Sequence, residues 1–237
     1  MILLTKMILA HLIGDFLLQP TVWVMAKQKN KLKALALYLH CGLHGVLVML
    51  LVWDWSFLPW AALLVVLHLG IDATKLFLQN KEKQTVYFFA DQLAHLISIV
   101  AIVYWYSGYP PISPGFGGQS NLLLITLIVF ITMPCSWFIK MFITRWSPHT
   151  ELHDDDSLQN AGKFIGILER LLVFVFVVMG HWEAVGFLLA AKSVFRFGDL
   201  KDSKDRKLTE YILIGTLTSF GIAILCGMAY LKLGTIS

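Results

Sequence analysis

Apolar residues run in long stretches along most of the chain, and short polar segments separate them. A helix of about 20 apolar residues crosses the roughly 30 Å hydrocarbon core of a bilayer, and eight stretches approach that length. They cover residues 2–19, 34–54, 58–78, 86–106, 121–144, 163–180, 184–199 and 209–231. The sixth and seventh are short and charged, so a re-entrant or buried hairpin is the alternative there. The pattern predicts an all-α, polytopic membrane helical bundle of about eight transmembrane helices.

The composition agrees with a membrane protein. Hydrophobic residues make up 57% of the chain and charged residues only 14%, whereas soluble domains have about 25% charged residues. The formal net charge of +4 is small and dispersed, so we expect no nucleic-acid partner. The three cysteines stand singly in apolar runs and indicate neither disulfides nor a thiolate metal site. The composition leaves open whether the chain forms a homo-oligomer.

Basic residues alternate with interfacial aromatic residues from one loop to the next. Lysine and arginine concentrate in residues 27–33, 81–83, 140–145 and 201–207, and are missing from residues 53–60, 107–120 and 180–183. The positive-inside rule then places both termini on the non-cytoplasmic side of the membrane. The proline- and glycine-rich segment 107–120 predicts a linker between two units, residues 1–110 and 111–237.

Each of the first four predicted spans carries two ionisable residues four positions apart, which places both on one helix face. The pairs are His11 and Asp15, His40 and His44, His68 and Asp72, and Asp91 and His95. Counted from the nearest basic loop, all four pairs lie at the same cytoplasmic depth, so we expect them to meet. The first pair echoes the third and the second echoes the fourth, which predicts a duplicated helical hairpin in this half.

Eight ionisable side chains inside a membrane need compensation, because a central aspartate costs about 2.5–3.5 kcal/mol. Imidazole and carboxylate are ligands that zinc, manganese and iron accept. The sequence therefore predicts a divalent-metal centre, with zinc as the first choice and manganese or iron as alternatives. The predicted ligands are His11, Asp15, His40, His44, His68, Asp72 and His95. A polar core in which each aspartate orients a neutral histidine is the simpler alternative.

Two further residues of this half are candidates for catalysis. Asp91 is the predicted proton acceptor, and both Asp91 and His40 are as suited to orienting a ligand as to binding the metal. Gln19 continues the face of His11 and Asp15 and is a predicted amide donor at the mouth of the site, with an ordinary helix end as the alternative. Lys75 is expected to extend towards lipid headgroups.

The second half carries charges inside two short apolar stretches. Arg170, Lys192 and Arg196 are predicted to bind the charged headgroup of a substrate, because guanidinium and ammonium groups bind phosphate oxygens. The alternative is an ion pair of Glu169 with Lys192 or Arg196 that allows two short helices to insert.

Three segments of the first half carry a family resemblance. They are His11-Leu-Ile-Gly-Asp15-Phe-Leu-Leu-Gln19, His68-Leu-Gly-Ile-Asp72 with Lys75, and Asp91-Gln92-Leu-Ala-His95. Over about the first 110 residues the chain resembles the bacterial membrane family known as domain of unknown function 3307. The resemblance implies a bacterial inner-membrane protein and no particular reaction. The histidine and aspartate pattern is also loosely similar to that of predicted membrane-bound metal-dependent hydrolases.

These observations favour a metal-dependent intramembrane hydrolase that acts on an amphiphilic, phosphate-bearing lipid from the cytoplasmic side. A divalent-cation or proton transporter is the second hypothesis, since intramembrane aspartate and histidine also mark ion pathways. A conduit would, however, need polar residues in the outer half of the membrane too. A haem or quinone protein is the third hypothesis, because histidine pairs serve as axial ligands. A scaffold or sensor with a purely structural polar core is the fourth.

Overall fold

The computed structural model describes residues 2–80, 82–108, 120–144, 156–194 and 203–234, with the backbone alone for residues 120, 156–160 and 203–208. Within these ranges the chain forms ten α-helices, one π-helical turn and two 3-10 turns, and no strand. The predicted all-α class is therefore confirmed. The chain divides into two compact units, Met1–Leu122 and Leu123–Ser237, against a predicted boundary after residue 110.

The first unit is built around four long helical segments. Helix α1 (Ile2–Leu12) continues into a π-helical turn (Ile13–Leu17), and the short helix α2 (Thr21–Asn30) follows. Helices α3 (Leu35–Val52), α4 (Leu58–Leu78) and α5 (Gln84–Ser107) complete the unit. Helix α1 packs against α3 and α5, and so does α4. The four segments thus form a ring in which the two similar helices, α1 and α4, are not neighbours.

A bend of 82° separates α1 and its π-helical turn from α2. Pro20 lies at this bend in an extended conformation, with φ −68° and ψ 150°. Proline has no amide hydrogen to donate, so the first helix ends before it. The sequence predicted a loop for the lysine-rich segment 27–33. The structure instead places Lys27 and Lys29 on α2 and forms a 3-10 turn at Lys31–Lys33.

An apolar core fills one half of the four-helix ring. Its buried members include Met7 of α1, Val48 of α3, Leu64 of α4 and Ile102 of α5. The polar pairs occupy the other half of each helix, towards the connections 18–34 and 79–83. The ring is therefore divided into a polar half and an apolar half.

The second unit contains the remaining helices. They are α6 (Ser120–Ile131), α7 (Met133–Ile143), α8 (Asp156–Val178), α9 (Trp182–Val194) and α10 (Ser203–Gly234). Helix α8 packs against α7, α9 and α10. Helices α6 and α7 form a pair bent by 40°, and Pro134 follows the break in the first turn of α7.

Four helical segments of the described chain are long and apolar enough to cross a membrane: Leu35–Val52, Trp55–Leu78, Gln84–Ser107 and Thr209–Gly234. The number rises to six if Ile2–Leu17 with Thr21–Lys33, and Asn121–Ile131 with Met133–Ile143, each count as one span. The chain thus has the helices of a membrane protein, but the eight predicted spans are not confirmed. The described part of helix α9 has 13 residues, about 20 Å of helix. Helix α8 carries Lys163, Glu169 and Arg170 within its apolar stretch.

Candidate metal centre

The four polar pairs of the first unit meet in one cluster, as their spacing and depth predicted. All members except Asp15 are buried, and the Asp15 side chain is only 10% exposed. The cluster consists of His11, Asp15, His40, His44, His68, Asp72, Asp91 and His95. Residues four apart share a helix face, and the ring arrangement of the helices turns these faces towards one another. The predicted convergence is confirmed, whereas the role of the cluster stays a prediction.

A π-helical turn carries Asp15 in the cluster. The amide of Leu18 donates to the carbonyl of Ile13 at 2.9 Å, five residues earlier, which widens the helix at this point. Gly14 lies against the ring of His44 so closely that a Cβ atom would stand 2.4 Å from its Cε1. The His44 imidazole therefore needs glycine at this position of the turn.

Asp15 lies at the centre of the imidazoles. Its Oδ1 atom lies close to three imidazole Nε2 atoms, at 3.0 Å from His44, 3.3 Å from His40 and 3.7 Å from His68. A carboxylate oxygen has two lone pairs, so it accepts about two hydrogen bonds. Oδ1 of Asp15 can therefore accept from at most two of these imidazoles, and Nε2 of His68 instead lies 3.2 Å from Nε2 of His40.

The donor set fits a divalent metal ion. Ligand atoms at about 2.0–2.1 Å from a tetrahedral zinc ion lie about 3.3 Å from one another. One atom each from His11, Asp15, His44 and His68 form a group in which every distance is at most 4.8 Å. Two further groups meet the same limit, His40 with His68 and Asp72, and Asp72 with Asp91 and His95. All seven predicted ligands, and Asp91, thus belong to at least one such group.

Gln92 joins the cluster, although the sequence did not select it. Its Nε2 donates to Oδ2 of Asp15 at 2.9 Å, and its Oε1 lies 3.2 Å from Nε2 of His11. This amide ties α5 to α1 and orients both side chains. Gln19, the amide donor that was predicted, lies half-exposed in the bend before α2 and takes no part in the hydrogen bonds of the cluster. The prediction for Gln19 is therefore not supported.

Two lysines also reach the cluster. Lys27 Nζ donates to Oδ2 of Asp72 at 2.8 Å, and Lys75 Nζ donates to Oδ2 of Asp91 at 2.7 Å. The expectations that Lys27 belongs to a loop and that Lys75 extends to headgroups are both wrong. Lys75 follows Asp72 by three positions, so the two side chains lie on neighbouring parts of one helix face. This spacing is the sequence feature that could have placed Lys75 at the cluster. For Lys27 the sequence offered none, because its approach depends on the bend at Pro20.

Three buried side-chain atoms of the cluster have no hydrogen-bond partner within the described chain: Nδ1 of His40, Oδ1 of Asp91 and Nε2 of His95. An unsatisfied buried polar group costs about 1–3 kcal/mol. His95 also borders a cavity of about 10 Å³, which is close to the space for one water molecule. The cavity is lined by His11, His44, His68, His95, Ser98, Met7, Val48, Leu64 and Ile99. The three open atoms lie outside the group of His11, Asp15, His44 and His68, whereas the cavity borders three members of that group.

Arg170, a predicted headgroup ligand, is buried in the second unit and bonded there. Its Nε and Nη2 donate to the carbonyls of Ile131 and Thr132 at the break between α6 and α7. Nη2 also donates to the hydroxyl of Ser136, and Nη1 donates to the hydroxyl of Ser219. Four of the five guanidinium N–H donors are thus engaged by oxygens of the same unit. Arg170 holds the bent helix pair against α8 and α10.

Lys192, the second predicted headgroup ligand, donates to the carboxylate of Glu169. This pair joins α8 to α9 and is the ion pair that the sequence offered as the alternative. Arg196, the third, lies outside the described residues, as do residues 109–119 of the predicted linker. The described part of the second unit therefore offers no open anion site at Arg170 or Lys192.

Comparison with known proteins found a family model that matches the part of the chain that carries the cluster. Residues 3–111 match the family model described as a protein of unknown function (DUF3307), which confirms the resemblance stated above. Every residue of the cluster lies within the matched range. A comparison with curated proteins found no match, and neither did a comparison with solved structures.

Proposed function

We propose that this protein, whose residues 3–111 belong to the DUF3307 family, is a metal-dependent hydrolase of the membrane. One observation carries the proposal: three imidazole nitrogens surround a single carboxylate oxygen of Asp15 inside an otherwise apolar bundle. Hydrogen bonds to this oxygen cannot engage all three imidazoles, and Nε2 of His68 instead lies 3.2 Å from Nε2 of His40. A divalent cation would bind Asp15 together with two of these imidazoles, those of His44 and His68, and with His11. His11, Asp15, His44 and His68 would hold it, with zinc as the first choice.

A bound divalent cation lowers the pKa of water towards about 7 and polarises the bond to be cleaved. The residues of the chain supply the remaining requirements. Gln92 orients Asp15 and His11 by its two hydrogen bonds. Asp72 and Asp91 each place an oxygen 3.5–3.6 Å from Nε2 of His95, beside the cavity, and orient this ring. The surrounding helices exclude bulk water from these groups.

The location of the cluster supports an amphiphilic substrate. It lies within helices that are long and apolar enough for a membrane, so the substrates that surround it would be molecules dissolved in the bilayer. Lys29, Lys31 and Lys33 lie in the segment between the first and second helices of the ring, next to the polar half, so by the positive-inside rule this end would face the cytoplasm. The family resemblance implies that the membrane is a bacterial inner membrane. Arg170 and Lys192 are bonded within the second unit, so the proposal no longer includes a phosphate seat made by them.

The apolar half of the ring favours an enzyme over a transporter. The core around Met7, Val48, Leu64 and Ile102 closes the polar cluster at one end. An ion pathway across the bilayer would need polar groups along that half as well. Haem or quinone binding also agrees poorly with three aspartates at the depth of the imidazoles, and a colourless preparation would dismiss it.

Hydrolysis can be measured directly. Purified zinc-loaded protein is incubated with a bacterial polar-lipid extract in water labelled with a heavy oxygen isotope, and the lipids are analysed by mass spectrometry. We expect the wild type to place labelled oxygen in a cleaved lipid and Asp15→Asn to give only the protein-free background. Asp54→Asn, which changes an exposed aspartate outside the cluster, is the matched control and should behave as wild type. Zinc flux into proteoliposomes without lipid cleavage would contradict the proposal and support a transporter.

A further inference from the structure

The cluster carries more ligand atoms than one metal ion needs. Besides the group around Asp15, atoms of Asp72, Asp91 and His95 lie within 4.8 Å of one another. Two of these residues have an open atom, Oδ1 of Asp91 and Nε2 of His95. By donor chemistry alone, this second group could bind a second divalent cation. The number of metal ions that bind therefore depends on the other contacts that the two groups of ligand atoms make.

The two carboxylates of the second group are already paired with ammonium groups. Lys27 of α2 contacts Asp72 at 2.8 Å, and Lys75 of α4 contacts Asp91 at 2.7 Å. The side chains of Lys27 and Lys75 are only 8% and 29% exposed, so these pairs are shielded from water. Asp15 differs, because its ion-pair partners in the described chain are histidines alone.

We propose that the ammonium groups of Lys27 and Lys75 take the place of a second metal ion, so that the protein binds one divalent cation per chain, at Asp15. This inference rests on the proposed metal centre and adds its stoichiometry and the residues that set it. Lys27 and Lys75 are positioning residues here, since they act on the metal through Asp72 and Asp91.

The net charge of the cluster explains why it would bind only one divalent cation. With neutral imidazoles, the three aspartates and two lysines sum to minus one. One divalent cation changes the sum to plus one, and a second would change it to plus three. Such a concentration of charge is costly in a bundle surrounded by hydrocarbon. Without the two lysines, two divalent cations would give the same plus one that a single cation gives in the native cluster.

Metal stoichiometry tests the proposal. Wild type and Lys27→Met plus Lys75→Met are purified in zinc-buffered detergent solution, passed over a gel-filtration column and analysed for zinc per chain. We expect one zinc ion in the wild type and two in the double variant. Lys29→Met plus Lys33→Met removes two exposed lysines of the neighbouring segment and should keep one zinc ion. Two zinc ions in the wild type, or one in the Lys27 and Lys75 variant, would overturn the proposal.

A second variant keeps the test decisive if the first does not fold. Asp91→Asn plus Lys75→Met removes both members of an ion pair, which leaves no charge unpaired. One zinc ion should remain, because Asp91 is not a ligand of the resident ion. Loss of zinc from this variant would overturn the proposal. Two zinc ions in the wild type would contradict the stoichiometry but not the proposed function, whereas a wild type without zinc would contradict both.

Discussion

The two units bury charged side chains in different ways. In the second unit, Arg170 has four donors on carbonyl and hydroxyl oxygens of its own unit. In the first, three imidazole nitrogens lie within 3.7 Å of one oxygen of Asp15, whose ion-pair partners in the described chain are histidines alone. A buried charge whose donors all meet oxygens of the protein connects helices, whereas a carboxylate surrounded by imidazoles is a ligand set that a divalent cation accepts. The groups that surround a buried charge, more than its presence, thus distinguish a structural network from a site.

The largest effect on stability is expected in the second unit. Arg170→Met leaves the carbonyls of Ile131 and Thr132 without their donor, which should lower the free energy of unfolding by about 3 kcal/mol. The zinc content of the folded fraction should not change. Lys163→Met removes a charge from the same helix and is the control. Lys163 caps no helix break, so this change should shift the free energy of unfolding by less than about 0.5 kcal/mol. Denaturant titration in detergent measures the stability of both variants, and zinc analysis measures their metal content. If Arg170→Met loses zinc while its stability is unchanged, Arg170 belongs to the metal site and not to a structural network.

The next effect concerns the first unit. Gly14→Ala places a Cβ atom 2.4 Å from the His44 ring and must displace that imidazole. We expect zinc affinity to fall by about 10- to 100-fold, as when a ligand loses its orientation. Gly42→Ala and Gly70→Ala are matched controls, because no atom lies within 4 Å of the added Cβ. Competition with a chelator measures the affinities. Unchanged affinity in Gly14→Ala would show that His44 is no ligand.

A smaller effect is expected at the ion pair of Glu169 and Lys192. The two side chains are 16% and 25% exposed, and each has the other as a charged partner. Glu169→Gln should lower stability by about 1 kcal/mol. Glu183→Gln, whose side chain is 78% exposed, should have no measurable effect. If Glu169→Gln instead prevents folding, the stability of the second unit depends on this ion pair as much as on Arg170.

The smallest effect is expected at Asp54, an exposed charge between α3 and α4. The backbone amide and hydroxyl of Ser56 donate to its carboxylate at 2.9 and 2.8 Å and hold the pKa of Asp54 below its ordinary value of 3.8. A carboxylate whose pKa is lowered by folding stabilises the folded protein at pH values above its pKa in the unfolded state. This stabilisation is lost as the pH falls through its pKa in the folded state. The protection of the Ser56 amide against hydrogen exchange, measured relative to the intrinsic rate at each pH, should therefore decrease in acid. Asp54→Asn should remove that pH dependence, and if it persists, the Asp54 carboxylate is not its source.

The sequence predicted the members of the cluster because their signal is local. Four positions on a helix return to the same face, so His68 and Asp72 could be paired without a structure. Gln92 and Lys27 could not be found in this way. The role of Gln92 depends on how α5 faces α1, and that of Lys27 on the bend at Pro20. Both are tertiary features that no spacing along one helix encodes.

The role of Arg170 was misjudged for a different reason. Its principal partners are backbone carbonyls at a helix break, and every residue carries a carbonyl. No side-chain pattern in the sequence distinguishes an arginine that caps such a break from one that binds an anion. Likewise, the sequence marked the sixth and seventh apolar stretches as short and charged and offered a re-entrant or buried hairpin there, and neither α8 nor α9 is among the candidate spans of the described chain.

The metal content of the purified protein tests the account most directly. Wild type, Asp15→Asn and the control Asp54→Asn are expressed with zinc, manganese and iron present, then analysed for all three elements after gel filtration. We predict one divalent ion per chain, zinc foremost, in the wild type and in Asp54→Asn, and less than a tenth of that in Asp15→Asn. Equal metal content in all three proteins, or none in any of them, would show that the imidazoles and carboxylates of the first unit form only a polar core.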